Sequence, residues 1–297
     1  MATLKNKIDF AVILNVKNAN PNGDPLNGNR PRINYDGHGE LSDVCIKRKI
    51  RNRLMHRYSE LKDKEKEGQA VFVQSDDNKL DDSKSLKDRA EKVLGKSILK
   101  DRNKLYEYAC KEWIDVRAFG QVFAYLGDTK GEGVSVGVRG PVSIHPAYTV
   151  APVTDKVSSI QITKSVSGEG EGKKKAADTM GMKHRVDHGV YVFYGSINPQ
   201  LASKTGFTEE DANSIKEALC TLFRNDSSSA RPEGSMEVHR VYWWEHNSNN
   251  GQYSSAKVHR SLEVRVKNEV ADPKNIDDYE INLNELKNLK LEIIDGE

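Results

Sequence analysis

Apolar residues run unbroken from Phe10 to Leu14 inside the segment Ile8-Asp-Phe-Ala-Val-Ile-Leu-Asn-Val16, a length and β-branched content that predict a strand buried on both faces. The turn-dense stretches Asn20-Pro-Asn-Gly-Asp-Pro25 and Asn27-Gly-Asn-Arg-Pro-Arg32 follow and exclude helix and strand alike. Ile46, Ile50, Leu54 and Tyr58 then recur every fourth residue, the stripe of a core-facing helix that Ser42 is placed to cap. From Glu60 to about Lys104 charge dominates, with apolar islands at Val71-Phe-Val73 and Val93-Leu94, and the stretch reads as an insertion.

The core pattern resumes with a helix ending near Trp113 and a strand over Val134–Ile144; Val157–Thr163 gives way to the glycine and charge tract, and Gly189-Val-Tyr-Val-Phe-Tyr-Gly195 is a third strand. A helix opens at Thr208-Glu-Glu-Asp211 with acids in its first turn, and Met236–Trp244 closes the series as a strand. Strand, helix, strand, strand, helix, strand is the order of a split βαβ, ferredoxin-like sheet, so the predicted class is α+β with helices on one face.

Composition adds three constraints. With 297 residues, 36% hydrophobic and 30% charged, the chain is long enough for a real core and polar enough for long solvated excursions. The net charge of +2 is uneven: residues 269–297 hold nine acids and three bases, leaving +8 on the rest, a cationic body suited to a polyanion. Three scattered cysteines indicate neither disulfides nor a clustered metal site, and no apolar run suits a signal peptide or membrane span, so a soluble protein of the reducing cytoplasm is expected.

The best physical lead to chemistry is basic. Lys47, Arg48 and Arg51 lie off the helix stripe and, with Arg30 and Arg32 in the preceding loop, form a cluster suited to consecutive phosphates; a solvated cationic face is the plain alternative. The tract Gly168-Glu-Gly-Glu-Gly-Lys-Lys-Lys175 fails the phosphate-loop pattern, because Ser167 stands where the first glycine belongs and Lys174 follows Gly172-Lys173. His184 and His188 are four apart but enter a strand, which removes the helical zinc spacing. Asp24 and Asp36 sit in turn dipeptides, and Phe123, Tyr242, Trp243 and Trp244 read as core aromatics before base-stacking ones.

Four motifs carry a family resemblance: Asn18-Ala-Asn-Pro-Asn-Gly-Asp-Pro25, Asp43-Val-Cys-Ile-Lys-Arg-Lys-Ile-Arg51, Asp115-Val-Arg-Ala-Phe-Gly-Gln121 and Arg139-Gly-Pro-Val-Ser-Ile144. In order along nearly the whole chain, they resemble the CRISPR Cascade backbone subunit, the "Cas seven" family of the RAMP superfamily, in its subtype I-C form. The resemblance implies a right-hand shape: an RRM-like palm (residues 1–59, 105–150 and 187–268), a finger insertion (60–104), a thumb insertion (151–186) and an acidic C-terminal tail (269–297). It implies a non-catalytic, sequence-independent coat on guide RNA (crRNA), needing no cofactor or metal.

The implied partners are the crRNA, target DNA through the RNA–DNA heteroduplex, neighbouring copies packed head to tail, other Cascade subunits capping the filament and a recruited nuclease-helicase, with no membrane. By position, Asn20, Asn22, Arg30 and Arg32 would lie along the RNA groove, Lys47, Arg48 and Arg51 would grip phosphates, and Gln121 and Arg139 would line the palm. On the thumb, Met180 and Met182 would wedge against a displaced base while Lys164, Lys183 and Arg185 contact the RNA backbone. The other readings are a metal-dependent ribonuclease using Asp24, as in backbone subunits of another CRISPR type, and a single-stranded DNA coat.

Overall fold

The computed structural model describes residues 2–125, 133–164 and 179–297. The chain opens with β1 (Ile8–Ala19), two short hairpin strands, β2 (Gly23–Asp24) and β3 (Arg30–Pro31), then β4 (Glu40–Leu41) and α1 (Asp43–Glu60). Four helices follow, α2 (Leu86–Leu94), α3 (Lys96–Leu99), α4 (Arg102–Glu112) and α5 (Ile114–Phe119), and after them β5 (Gln121–Tyr125), β6 (Val134–Val138), β7 (Val142–Ile144) and β8 (Ala147–Thr149). β9 (Val157–Lys164) and the long β10 (Thr179–Ile197) lead to α6 (Pro199–Thr205), α7 (Glu209–Cys220) and β11 (Met236–Glu245). The chain ends with α8 (Ser255–His259), β12 (Leu262–Val266), β13 (Tyr279–Leu283) and β14 (Lys290–Asp295).

The main sheet runs β14-β11-β1-β10-β8-β4, with β7 and β9 also paired to β10, and every pairing is antiparallel. β1 lies between β10 and β11, and both its faces are covered. Phe10, Val12, Leu14 and Val16 pack with Ile46, Ile50 and Leu54 of α1 and Ile215 and Leu219 of α7. Ala11 and Ile13 pack on the other side under Val258, Leu262 and Tyr279 of the C-terminal layer. Two covered faces explain why β1 reads as a continuous apolar run although its sheet is antiparallel. At the start of α1, the Ser42 hydroxyl accepts from the Cys45 amide at 3.3 Å, as its sequence position predicts.

The charged stretch after α1 builds a second core. Phe72, Ala90, Leu99, Leu105, Trp113, Phe123 and Val136 form one buried cluster separate from the main sheet. The islands within 60–104 therefore pack with α4, α5 and the β5–β6 hairpin as far as Val138, beyond the boundary at 104 drawn from charge. The expected strand Val134–Ile144 is two strands: β6 pairs β5 in the second core, and β7 pairs β10 in the main sheet. The break falls at Gly140-Pro141, where a Cβ on Gly140 would stand 2.2 Å from the Ala118 carbonyl oxygen, so only glycine permits the two segments to cross.

Two buried ion pairs bind the second core to the main sheet. Asp115 accepts Arg51 Nε at 2.8 Å and the amides of Phe72 and Val73 at 2.7 and 3.1 Å. Arg117 forks onto Asp211 with contacts of 2.9 and 2.6 Å, and Asp211 also closes the capping box of α7 with Thr208. The acidic segment 269–297 is equally built in: β13 pairs β12, and β14 forms the edge of the main sheet against β11.

Candidate nucleic-acid interface

The loop between β1 and α1 is pinned from inside. Asn20 is buried, and its Nδ2 donates to the Asn29 carbonyl at 2.7 Å. Asn22 Oδ1 accepts both the amide and the hydroxyl of Ser42, at 2.9 and 3.0 Å, tying the loop to the cap of α1. Both asparagines thus hold the loop in shape. Asp24 caps the turn at Pro25–Asn27 by accepting from the Leu26 amide at 3.2 Å, and faces Arg32 at 3.6 Å. Arg30, one residue before the buried Pro31, is exposed and has no ion pair among the described residues.

On α1 the basic cluster divides. Lys47 pairs with Asp43 one turn back at 2.9 Å. Arg48 donates to the Val73 carbonyl at 2.9 Å, and burial, reinforced by neighbouring Arg51, pushes its guanidinium below its ordinary value. Arg51 is 13% exposed, bound to Asp115 and laid over the Phe119 ring at 5.2 Å. The expected three-residue phosphate grip is therefore not what α1 presents: Arg48 and Arg51 reach into the second core. Sequence spacing also passed over Lys49 and Arg53, both buried, the first paired with Asp226 and the second donating to Thr221 Oγ1 at 2.9 Å.

β9 and the first half of β10 form a hairpin arm that leaves the sheet edge, in register from Val186↔Val157 to Thr179↔Lys164. Met182 is exposed; Lys183 and Arg185 alternate with it and so lie on the opposite face, Arg185 donating to Ser158 Oγ at 3.1 Å. Met182 and these two cations cannot act on one face of the arm. The side chains of Lys164 and Met180 and the tract Gly168–Lys175 lie outside the described residues. His184 is buried with Nδ1 2.7 Å from Ser159 Oγ, and burial and the charge of Arg30 hold it below its ordinary value, which places Arg30 within electrostatic reach of the arm. Four strand residues separate His184 from His188 by roughly 13 Å, too far for one zinc ion.

Gln121 opens β5 opposite Val138, its Nε2 donating to the Val122 carbonyl at 3.0 Å, and exposed Arg139 follows at the end of β6. Both belong to the second core's hairpin. At the arm's base, Lys17, Lys156, His188 and Lys274 border a groove of about 810 Å³ together with Asp155, Asp187 and Asp272. Lys156 is already held by Asp272 at 2.9 Å, so the groove is balanced in charge. Phe123, Tyr242, Trp243 and Trp244 are buried, as core aromatics should be. Among the described residues no group of three or more His, Cys, Asp or Glu side chains is placed to hold a metal, and no helix is long and apolar enough to cross a membrane.

These features define an α+β protein with an antiparallel sheet, a second helical core, a protruding arm and cations dispersed around a pinned loop. The chain belongs to the family described as CRISPR-associated protein Cas7, which it matches over residues 6–284. A CRISPR-associated protein Cas7 of Haloferax volcanii is 25% identical over 253 residues, 82% of this chain and 70% of that protein. A chain of a solved CRISPR RNA-guided surveillance complex in a pre-nicking state aligns with TM-score 0.48 and 16% identity over 90% of this chain and 84% of its own. Another, from a CRISPR RNA-guided surveillance complex, aligns with TM-score 0.40 and 14% identity over 80% and 68%.

Proposed function

We propose that this chain is a non-catalytic backbone subunit of a type I-C CRISPR surveillance complex, coating guide RNA regardless of sequence and presenting it to target DNA. In this reading the main sheet is an RRM-like palm, the second core the fingers and the β9–β10 arm the thumb. Copies polymerise head to tail in the cytoplasm, and other Cascade subunits cap the filament and recruit a nuclease-helicase.

The observation that carries the reading is Arg30: exposed, without an ion pair among the described residues, held on a loop fastened by Asn20 and Asn22, and in reach of the arm. A cation on a rigid loop contacts phosphates without reading bases, which a coat for any guide requires. Arg139 and Lys183 extend the set, and neither has an ion pair among the described residues. The turn contacts of Asp24 support binding without cleavage, since its carboxylate already serves an amide and Arg32.

The test is binding of the purified protein to single-stranded RNAs of unrelated sequence across a salt series, with magnesium present and the RNA analysed for cleavage. Equal, steeply salt-dependent affinities and intact RNA are expected. Strong preference for one sequence or for DNA, or a product that disappears in Asp24→Ala, would defeat the proposal.

A further inference from the structure

β12 pairs with β13 along one side only. Their ladder continues past both ends of the strands, with the Asn284 amide on the Ser261 carbonyl at 2.8 Å and the Lys267 amide on the Asp278 carbonyl at 3.0 Å. In an antiparallel pair the residues that exchange hydrogen bonds alternate with residues that turn both backbone groups outward. Residues 261, 263, 265 and 267 therefore face β13, and Leu262, Val264 and Val266 present their amides and carbonyls to the open edge. Tyr194 Oη comes within 3.5 Å of the Leu262 carbonyl there, while Val264 and Val266 have no backbone partner on that side among the described residues.

The open edge borders a groove of about 350 Å³, lined by Val264, by Val192 and Tyr194 of β10, and by His145, Tyr148 and Val150. Val192 and Tyr148 are cross-strand neighbours on one face of the main sheet, and Tyr148 is 41% exposed. Beneath the β12–β13 pair this face is covered by Val264, Ile281 and Leu283; beside β12 the cover stops. A third strand laid along β12 would complete the layer, satisfy the outward backbone groups and lower every second side chain into the groove.

Charge selects the kind of strand. Neither lysine nor arginine lines the groove. Glu40 lies opposite Tyr148 on β4, and so on the same face, while Glu263 precedes Val264 and points the other way. Neither carboxylate has an ion pair among the described residues, whereas Arg265, the next outward side chain, is held by Glu280 at 2.9 Å. Residues 262–297 as a whole carry ten acids and five bases. A phosphodiester chain would meet carboxylates and offer the edge no amides; a basic polypeptide answers both.

We infer that β12 and this groove bind an extended, basic segment of another protein, which adds as a third strand with apolar side chains at every second position and lysine or arginine set against Glu40 and Glu263. The docking uses none of the residues assigned to RNA, so it stands or falls apart from that reading.

The probes are acetyl-Lys-Val-Lys-Val-Lys-Val-Lys-amide, the same peptide with glutamate for every lysine, and the basic peptide with its backbone nitrogens methylated. Binding to the full-length chain is read by calorimetry, and its place by hydrogen exchange at the Val264 and Val266 amides. The basic peptide should bind about tenfold or more tighter than the acidic one and slow exchange at both amides, and methylation should abolish binding. Val264→Pro removes an outward donor that β13 does not use and should weaken the basic peptide by about tenfold. Glu40→Lys/Glu263→Lys should reverse the preference between the two peptides, and it keeps the test decisive if the proline variant melts early.

No binding by the basic peptide, equal binding of the acidic one, binding that survives methylation, or protection confined to other amides overturns the inference. Unchanged affinities in both variants overturn it as well. Self-association of the chain alone that Glu40→Lys/Glu263→Lys dissolves would put a second copy on β12, and protection of the same two amides by single-stranded RNA would make the edge a nucleic-acid contact; either result also overturns it.

Discussion

Arg51 and Arg117 differ from Arg30 and Arg139 in where their charge goes, although all four lie in the motifs or loops that drew attention to the chain. The first two are buried against Asp115 and Asp211 and hold a second core to the main sheet. The other two are exposed and face solvent without an ion pair among the described residues. The contrast separates two jobs that look alike among basic residues, fastening the fold and meeting a polyanion, and mutation can separate them again.

The largest effect is expected at Arg117. Its guanidinium is 7% exposed and its partner carboxylate 1%, so Arg117→Ala leaves Asp211 buried and unpaired, at a cost of roughly 3–5 kcal/mol. Urea unfolding measures this directly. A drop in stability under about 1 kcal/mol would mean that the pair does not join the two cores as described. Arg51→Ala comes next, with a destabilisation of about 3 kcal/mol, because Asp115 keeps its two backbone donors when the arginine is gone. If Arg51 instead grips RNA, stability will hold and the salt dependence of RNA binding will drop.

That division was only half legible in the sequence. The main sheet was readable because its signals are local: the apolar run of β1, the four-residue stripe of α1 and the Ser42 cap each depend on neighbours in the chain. The second core was not, because Phe72, Ala90 and Leu99 are isolated apolar residues in charged surroundings that acquire a core only from Leu105, Trp113 and Val136 far along the chain. β14 was hidden in the same way: the acidic count of its segment concealed Leu291, Ile293 and Ile294. Among candidate RNA-binding residues, the inward contacts of Arg48 and Arg51 left no sign in the sequence, because a helix pattern shows which side chains leave one core, not whether another core receives them. Asn20 and Asn22 were found by resemblance, yet their visible work is structural, and pairing by Asp115 and Asp211 left no local mark.

The exposed set should behave in the opposite way. Arg30→Glu and Arg139→Glu together should leave stability within about 0.5 kcal/mol while weakening RNA binding. The slope of log affinity against log salt should fall by roughly 0.7 for each phosphate that the variant no longer neutralises. Unchanged binding would remove both residues from the interface.

The smallest expected effect concerns protons, and it tests the comparison from inside the fold. His188 and His259 are buried, and burial is the leading cause that holds both below the ordinary histidine value. Lys156 and Lys17 push His188 the same way against Asp278 and the Val16 backbone, while Asp9 and the Gly195 carbonyl oppose burial at His259 and His145 and Lys7 assist it. The folded protein keeps these rings neutral where the unfolded chain, titrating near 6.5, already binds protons. Stability contributed by the two histidines is therefore fully present above about pH 6.5 and declines as pH falls below it. The His188 ring makes no well-formed hydrogen bond, the Val16 backbone only favouring its charged form, so His188→Met should fold well. It should flatten the decline in stability below about pH 6.5. Urea midpoints measured across that range decide the point: an undiminished decline in the variant would assign the effect to His259 and its buried Asp9 partner, 3.7 Å away.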